Sequence, residues 1–451
     1  MSSSGQSTQS EGAAGVSSAA ASHSPLDRNG IWLASAVSGV LLMLYLPFGL
    51  DTAVQMNDTR SASAAAWNIA TRGELAFPEQ WPVTREIWSV EGRDGRNYSN
   101  RFPGVIAWGV PFFFVQETIR PSVHAEEHYL FIDYRAGAVA GAVATALGVG
   151  ASFLLYGYFV SRLAALAAAL LTGLGTSLWS VASTALWPHG LTHLCITLAL
   201  LALASKKPWL LAIATVIALT ARPHVAIGLL PIGVWLLHQR RWAEAGGMAG
   251  GALLGLGLVS AYSYAVFGTA LPAAGYGVAE MGRLAKDPAL FAESVAYALG
   301  SRHKGLFVYS MFLLVLIPFS LRAWRISPGW VRAATVGAVS YAVFQALATN
   351  LIGGDHFFGY RVQLEPLALM APLLVLCWTS GVRAERRLNW LFGALAVGAV
   401  AVHAIGASTY TIERGVAASY RESAEQRRME VLEGLGQPDE TSLGNDSAGA
   451  G

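Results

Sequence analysis

The sequence predicts an all-α polytopic membrane protein with about eleven transmembrane helices and a large first extracytoplasmic loop. Three observations carry this expectation. Of 451 residues, 54% are hydrophobic and 13% charged, whereas soluble domains average about 25% charged residues. Apolar runs near the ~20 residues needed to cross a bilayer recur along the chain. Lys and Arg gather in the short connections between those runs, an asymmetry that sets orientation in a membrane. The net charge of +2 offers no basic surface for nucleic acid. The two cysteines, Cys195 and Cys377, lie in apolar runs and suggest neither a disulfide framework nor a metal-ligand spacing.

The elements follow in order. Residues 1–28 are expected to be a disordered cytoplasmic N-terminus. Their Ser, Ala, Gly and Gln content buries too little apolar surface to offset the entropy of ordering. No basic segment precedes a short apolar core and a cleavage site, so no signal peptide is expected. A transmembrane domain over 29–406 comes next, opening with a span at 31–50. The polar stretch 51–102 then begins an extracytoplasmic region, 51–135, that includes interfacial helices. Within it, 103–116 contains Pro111 and is too short for a ~30 Å hydrocarbon core, so it reads as interfacial or re-entrant. Later spans are predicted at 136–160, 163–182, 185–204, 209–220, 224–237, 246–267, 304–321, 331–350, 362–379 and 389–406. The pair 209–220 and 224–237 reads as a hairpin, broken at Arg222-Pro223 because proline cannot continue a helix. The tail, 407–451, is expected outside the membrane and partly disordered.

Basic connections at Arg162, Lys206-Lys207, Arg240-Arg241, Arg322 to Arg325 and Arg383 to Arg387 place the N-terminus inside and the C-terminus outside. The Ala and Gly richness fits a high-GC bacterial genome, hence a multi-pass protein of the cytoplasmic membrane. The opposite face collects a different set: Asp51, Asp58, Trp187-Pro188-His189, Arg222, His224, Arg302-His303-Lys304, Asp355-His356 and Arg361. Inner connections thus hold plain Arg/Lys clusters, and outer ones hold His, Asp, Trp and Pro. Chemistry is therefore expected on the outer face. No Walker motif or dinucleotide fingerprint is present. The stretch 124–128 misses the zinc-protease pattern because Ala125 stands where the acid must be, and it reads as a solvated surface segment.

Six pieces of this outer face resemble the GT-C superfamily of membrane glycosyltransferases. The first is the acid after the opening span, followed by Arg60, an Ala-rich helix and Gly73-Glu74-Leu75 with Pro78. The second is Gly95-Arg96-Asn97-Tyr98-Ser99-Asn100-Arg101-Phe102-Pro103-Gly104, with Trp108 and Pro111 beyond. The third is Gly175-Thr176-Ser177-Leu178-Trp179 followed by His189, and the fourth is Arg222-Pro223. The fifth is Lys304-Gly305-Leu306-Phe307-Val308-Tyr309-Ser310. The last is Gly353-Gly354-Asp355-His356-Phe357-Phe358-Gly359-Tyr360-Arg361. Two departures stand out: Asn57 precedes a lone Asp58 where many members pair two acids, and Phe102 stands where a second Pro is frequent.

The resemblance implies inverting transfer of a sugar from a polyprenyl-phosphate carrier to a cell-envelope acceptor, which is a polysaccharide, a lipid or a protein. Such transfer needs a base for the acceptor hydroxyl and cations for the departing lipid phosphate. Asp58 is the expected base, with Asp51 the alternative. Desolvation near a membrane surface is expected to raise the carboxyl pKa towards a base's range. The plainer role for Asp58 is to cap the following helix. Arg222, Lys304 and Arg361 are the expected phosphate-binding cations, although boundary cations also snorkel to headgroups without further function. Tyr98, His189, Asp355 and His356 are the expected acceptor or sugar contacts. Trp81, Trp88 and Trp108 offer stacking faces, as interfacial aromatics do at any bilayer. The sequence identifies no cofactor, and a divalent cation on Asp58 is left open, since no full ligand set is visible. His189 and His193 share a helix face at i, i+4 but have no third ligand in the sequence.

A second class of function is a lipid-linked glycan transporter or flippase. It predicts repeated halves and ionisable residues or broken helices near mid-membrane, whereas the sequence shows no repeat and its charged residues lie at the span ends. A glycan polymerase or ligase would share the same outer-face site.

Overall fold

The computed structural model describes residues 25–51, 57–81, 87–275, 288–348 and 357–409. The stretches 1–24 and 410–451, expected to be disordered, lie outside the described residues.

The described chain is almost entirely helical. Seven helices are long and apolar enough to cross a membrane: α1 (Arg28–Asp51), α4 (Arg135–Tyr156), α6 (Pro188–Ser205), α9 (Trp242–Phe267), α14 (Gly329–Ala348), α15 (Leu364–Ser380) and α16 (Arg386–Thr409). Shorter apolar helices accompany them: α5 (Arg162–Leu174), α7 (Pro208–Ala221), α8 (Ala226–His238) and α10 (Pro288–Gly300). The segment 51–102 is not an open loop where it is described. It holds α2 (Asn57–Arg72) and an antiparallel hairpin of β1 (Ser89–Glu91) and β2 (Asn97–Ser99), and it leads into α3 (Pro103–Ile119).

Local chemistry sets the boundaries. Proline opens α3, α6 and α7, where its missing N–H costs no helical bond. Gly268, at φ 73°, closes α9 in the left-handed conformation that glycine adopts without strain. Two predicted spans are interrupted. The run 163–182 ends as α5 at Leu174. The Gly175 N–H returns to Leu171, the Thr176 hydroxyl takes the Thr172 carbonyl, and a π-helical turn, Leu178–Ala182, follows. The run 304–321 is a chain of short pieces, α11 (Leu306–Tyr309), α12 (Leu313–Leu316) and a 3-10 turn, Ile317–Phe319, that leads into α13 (Ser320–Ile326). Pro318 has no N–H to give a continuous helix.

Helices α4 and α6 are interior, with 78% and 72% of their apolar windows buried in protein; α1, α9 and α16 have 22–28% and present side chains outward. Small residues let the interior helices approach closely. A Cβ on Gly141 would meet the Ala185 carbonyl oxygen at 2.0 Å, and one on Gly337 would meet that of Gly228 at 1.9 Å.

Two ends of the bundle can be told apart by their contacts. At one, Asp27 pairs with Arg162, Arg241 donates to the Leu203 carbonyl at 3.2 Å, and the rings of Phe159 and Trp330 lie 5.8 Å apart. These contacts gather several of the basic connections. At the other, a second core forms from Trp67, Phe77, Trp81, Ile106, Phe113 and Tyr129 among others, separate from the main helical core. Helix α3 lies across this end. Gly104 abuts the end of α7 at Thr220-Ala221, and Gln116 reaches the Asp133 carbonyl just before α4 at 2.6 Å. Both ends of α3 are therefore at one end of the bundle. The stretch 124–128 is not wholly solvated: His128 is buried, and its ring nitrogen accepts from the Leu130 N–H at 3.1 Å, capping a short turn.

Because Gly337 allows the α8–α14 crossing, Gly337→Ala is expected to cost about 1–3 kcal/mol by overpacking. Gly39→Ala, with open space around its site, should leave stability unchanged or slightly raised. Thermal unfolding of the two variants in the same detergent checks the contrast.

Candidate functional site

Asp58 sits in the first turn of α2, and the hairpin fixes this turn. The Ser61 hydroxyl donates to the Trp88 carbonyl at 3.1 Å and lies 2.8 Å from the Ser99 hydroxyl. Asn68 donates to the Glu74 and Ala76 carbonyls at 2.8 and 2.6 Å. The hairpin turns at Asp94-Gly95, with Gly95 at φ 79°, and brings the chain back so that Arg101 faces Asp58. Arg101 Nη2 donates to Asp58 Oδ1 at 3.0 Å, and its guanidinium lies 4.7 Å from the centre of the Trp88 ring. Arg361, more than three hundred residues later, donates through Nη1 to the other carboxylate oxygen, Oδ2.

Asp58 therefore pairs with two guanidinium groups rather than acting as a plain helix cap. Its side chain is 15% exposed. Burial pushes its carboxyl pKa up, but the charges of Arg101 and Arg361, with the Arg361 hydrogen bond, overrule it and hold the group well below the usual carboxylate range. This reverses the expectation of a raised value: desolvation acts in the expected direction, and the two cations outweigh it. Asp51 ends α1, and its side chain lies outside what the structure describes. Asp355 and His356 also lie outside the described residues.

Arg361 is aimed by a pinned loop. Gly359 stands at φ 90°, a conformation that strains any other residue, and a Cβ there would meet the Ser177 hydroxyl at 2.6 Å. The Tyr360 N–H donates to the Ser177 hydroxyl at 3.1 Å, and the Ser180 hydroxyl donates to the Phe358 carbonyl at 3.0 Å. Ser180 Oγ lies 2.9 Å from His403 Nδ1 on α16; with its own proton committed to Phe358, it accepts from that nitrogen. The Ser310 hydroxyl donates to the Gly175 carbonyl at 2.8 Å and lies 2.7 Å from the Tyr360 hydroxyl. The π-helical turn after α5, α16 and the broken segment 306–326 thus all hold the loop that ends in Arg361. Its guanidinium lies 4.9 Å from the Phe357 ring and 5.1 Å from Trp187. Lys304 reaches the same place: Nζ donates to the Phe357 carbonyl and sits 3.6 Å from the centre of its ring.

A second charged group adjoins through Trp187, whose ring lies 6.0 Å from that of His189. Arg222 Nη1, His189 Nδ1 and Glu365 Oε1 meet at 2.7–2.9 Å, and Arg222 Nε donates to His224 Nε2 at 3.0 Å. The His224 ring stacks on Tyr341 with centroids 5.7 Å apart. Glu365 is fully buried, and its Oε2 has no hydrogen-bond partner. Arg222 is therefore committed to a carboxylate and does not join Lys304 and Arg361 at Phe357. Tyr98 faces another way: its hydroxyl donates to Asp94 at 2.7 Å, and its ring lies 6.2 Å from Phe267. Trp81 is buried among Trp67, Phe77 and Tyr129, and Trp108 donates to the Ala140 carbonyl at 2.9 Å. Trp88 keeps 40% exposure beside Arg101.

Lys304 and Arg361 both line a cavity of about 370 Å³, within the ~300–1,000 Å³ typical of ligand sites. Its other walls are apolar side chains of α10, the broken segment, α14 and α15, including Leu299, Leu313, Val343 and Leu374. An apolar cavity with two cations suits an amphiphile with an anionic head. Among the described residues no three His, Cys, Asp or Glu side chains converge to hold a metal ion, and both Asp58 oxygens already accept from guanidinium groups.

Sequence reasoning missed Arg101 and Glu365. Arg101 was visible within the Asn97–Gly104 stretch. Glu365 was the one acid inside the predicted span 362–379, and an ionisable residue inside a span is itself a signal of function.

No family model matches the chain, and no curated protein matches it. Fold and site together define a polytopic helical membrane protein with a charged, partly enclosed site at one end of its bundle.

Glu365→Gln leaves Arg222 buried beside a neutral amide and is expected to cost about 3–5 kcal/mol. The double variant Glu365→Leu/Arg222→Met should recover most of that loss. Chemical denaturation in detergent checks both. Equal losses in the two proteins would show that the ion pair itself does not set the stability.

Proposed function

We propose that this protein is a membrane glycosyltransferase of GT-C type. It transfers a sugar from a polyprenyl-phosphate carrier to a cell-envelope acceptor on the outer face of the cytoplasmic membrane. The observation that carries this reading is the meeting of Lys304 and Arg361 at Phe357, in the wall of an apolar cavity, with Asp58 bound to the same Arg361. The cavity takes part of the prenyl chain, the two cations take the phosphate, and the carboxylate stands next to them for the acceptor.

The reaction balances without a further reactant. The acceptor hydroxyl oxygen attacks the anomeric carbon from the face opposite the phosphate, and the new C–O bond forms with inversion. The old bond between that carbon and the phosphate oxygen breaks, and its electron pair leaves on the lipid phosphate, neutralised by Lys304 and Arg361. The hydroxyl proton passes to Asp58. A carboxylate held by two guanidinium groups is a weak base, and here the shared Arg361 matters. A phosphate at the mouth of the cavity competes with Asp58 for that guanidinium. Its departure removes one of the two charges that depress the carboxyl, so donor binding readies the base. Arg101 stays to orient it, and exposed Trp88 offers a stacking face for the acceptor. Glu365, His189 and Arg222 form the floor next to this centre. Asp51, Asp355 and His356 keep their expected parts as alternative base and acceptor contacts.

The proposed topology is eleven crossings, counting the broken segment 306–326 and the hairpin of α7 and α8, with the N-terminus inside and the C-terminus outside. The gathering of basic connections at the end opposite the site supports it.

Transfer from a panel of radiolabelled polyprenyl-phosphate sugars by the purified chain in proteoliposomes tests the function. Wild type should transfer at least one sugar, and Asp58→Asn and Arg361→Ala should each lose about 100-fold or more, the scale of one general base or one charge-stabilising donor. Full activity in Asp58→Asn would remove Asp58 as the base, and no transfer with any donor would sink the reading.

Orientation has a separate check. A cysteine at exposed Glu91 should react with an impermeant maleimide from outside intact cells, and one at exposed Arg240 only after permeabilisation. The reverse pattern would place the site on the cytoplasmic side.

A further inference from the structure

We propose that Gln363 is a specificity residue of the donor site, and that its side-chain carbonyl oxygen accepts a hydrogen bond from a hydroxyl or amide N–H of the sugar on the carrier. The inference rests on the donor-lipid reading of the cavity given above.

Gln363 immediately precedes α15, two residues after Arg361, and lines the same cavity as Lys304 and Arg361. It is 9% exposed. Its Nε2 donates to the Ala298 carbonyl on α10 at 3.3 Å. A carbonyl accepts only from the nitrogen end of an amide, so this contact fixes which way the amide faces. The oxygen, Oε1, is left without a hydrogen-bond partner. The obvious local role for a polar side chain at this position is to cap the following helix, yet Gln363 makes no such bond to α15. A buried amide oxygen with no partner carries a desolvation cost of about 1–3 kcal/mol, which a ligand in the cavity can relieve.

The chemistry of the partner follows from the atom. A carbonyl oxygen accepts and cannot donate. The phosphate of a polyprenyl-phosphate sugar is an anionic diester with no proton to give, so it is not the partner. The prenyl chain has no polar hydrogen. The sugar is the part of the donor that carries hydroxyl groups and, in amino sugars, an amide N–H. Gln363 lines the cavity that the two cations also line, so the sugar joined to a phosphate held there is the part of the donor assigned to the amide. A site that hydrogen-bonds a substrate hydroxyl rejects analogues lacking it far better than an apolar wall does.

The test measures binding of two probes to the full chain in lipid nanodiscs: bare polyprenyl phosphate and the polyprenyl-phosphate sugar that wild type transfers. Gln363→Met keeps the bulk and removes the oxygen. It should weaken binding of the sugar-bearing lipid about tenfold and leave bare polyprenyl phosphate unchanged, which also shows that the variant is folded. Monodeoxy or de-N-acylated forms of the donor sugar complete the cycle: one should bind wild type about tenfold more weakly, with no further loss in Gln363→Met. Equal weakening of both probes, no weakening of either, or full additivity for every sugar analogue would overturn the role of Gln363 while leaving the donor site in place. Failure of wild type to bind bare polyprenyl phosphate would instead overturn the donor-lipid reading and this inference with it.

Discussion

The structure depends on one carboxylate shared by two arginines. Asp58 comes from the first turn of α2, Arg101 from just beyond the hairpin, and Arg361 from the loop before α15. The first two belong to the cap over the end of the bundle, and the third belongs to the bundle itself. The pairing therefore ties the cap to the bundle. It also sets the charge of the site. Two guanidinium groups on one carboxylate keep that acid ionised.

Holding Arg361 in place is the task of a polar cluster that would be costly within an apolar bundle if left unsatisfied. Ser177, Ser180 and Ser310 answer the backbone of 357–361 and of Gly175, each with a hydroxyl that both donates and accepts or bridges two elements. The interruption after α5 is what makes this possible. A continuous helix over 163–182 would turn Ser177 and Ser180 to its own backbone. The π-helical turn spends its hydroxyls on the neighbouring loop instead, and breaks of this kind recur at functional sites.

The second charged group follows a different rule. Glu365, His189 and Arg222 are buried deeper than Asp58, and they form a paired polar group inside the bundle rather than a binding surface. Their approach needs α6, the α7–α8 turn and α15 at one level, and small residues at the crossings permit it. Lys304 and Arg361, by contrast, lie against an aromatic ring in the wall of a cavity.

Much of the architecture was written in the sequence. Hydrophobic run length located most of the long helices. Pro223 after Arg222 marked the break between α7 and α8, and the short run with Pro111 marked a helix that lies across the bundle end. Such features are local, because backbone hydrogen bonding and side-chain volume act within a few residues. The same holds for naming Asp58, Arg361, Lys304 and His189 as charged or titratable groups near one face. What they do to one another was decided by tertiary structure. Proximity to Arg101 and Arg361 reversed the expected direction of the Asp58 pKa, commitment to Glu365 separated Arg222 from the other two cations, and the alternation of β2 turned Tyr98 towards Phe267 and Ser99 towards α2. The cavity is likewise a property of four packed elements with no signature in any one of them. Coulomb energy and desolvation depend on distance through space, and a sequence fixes only distance along the chain.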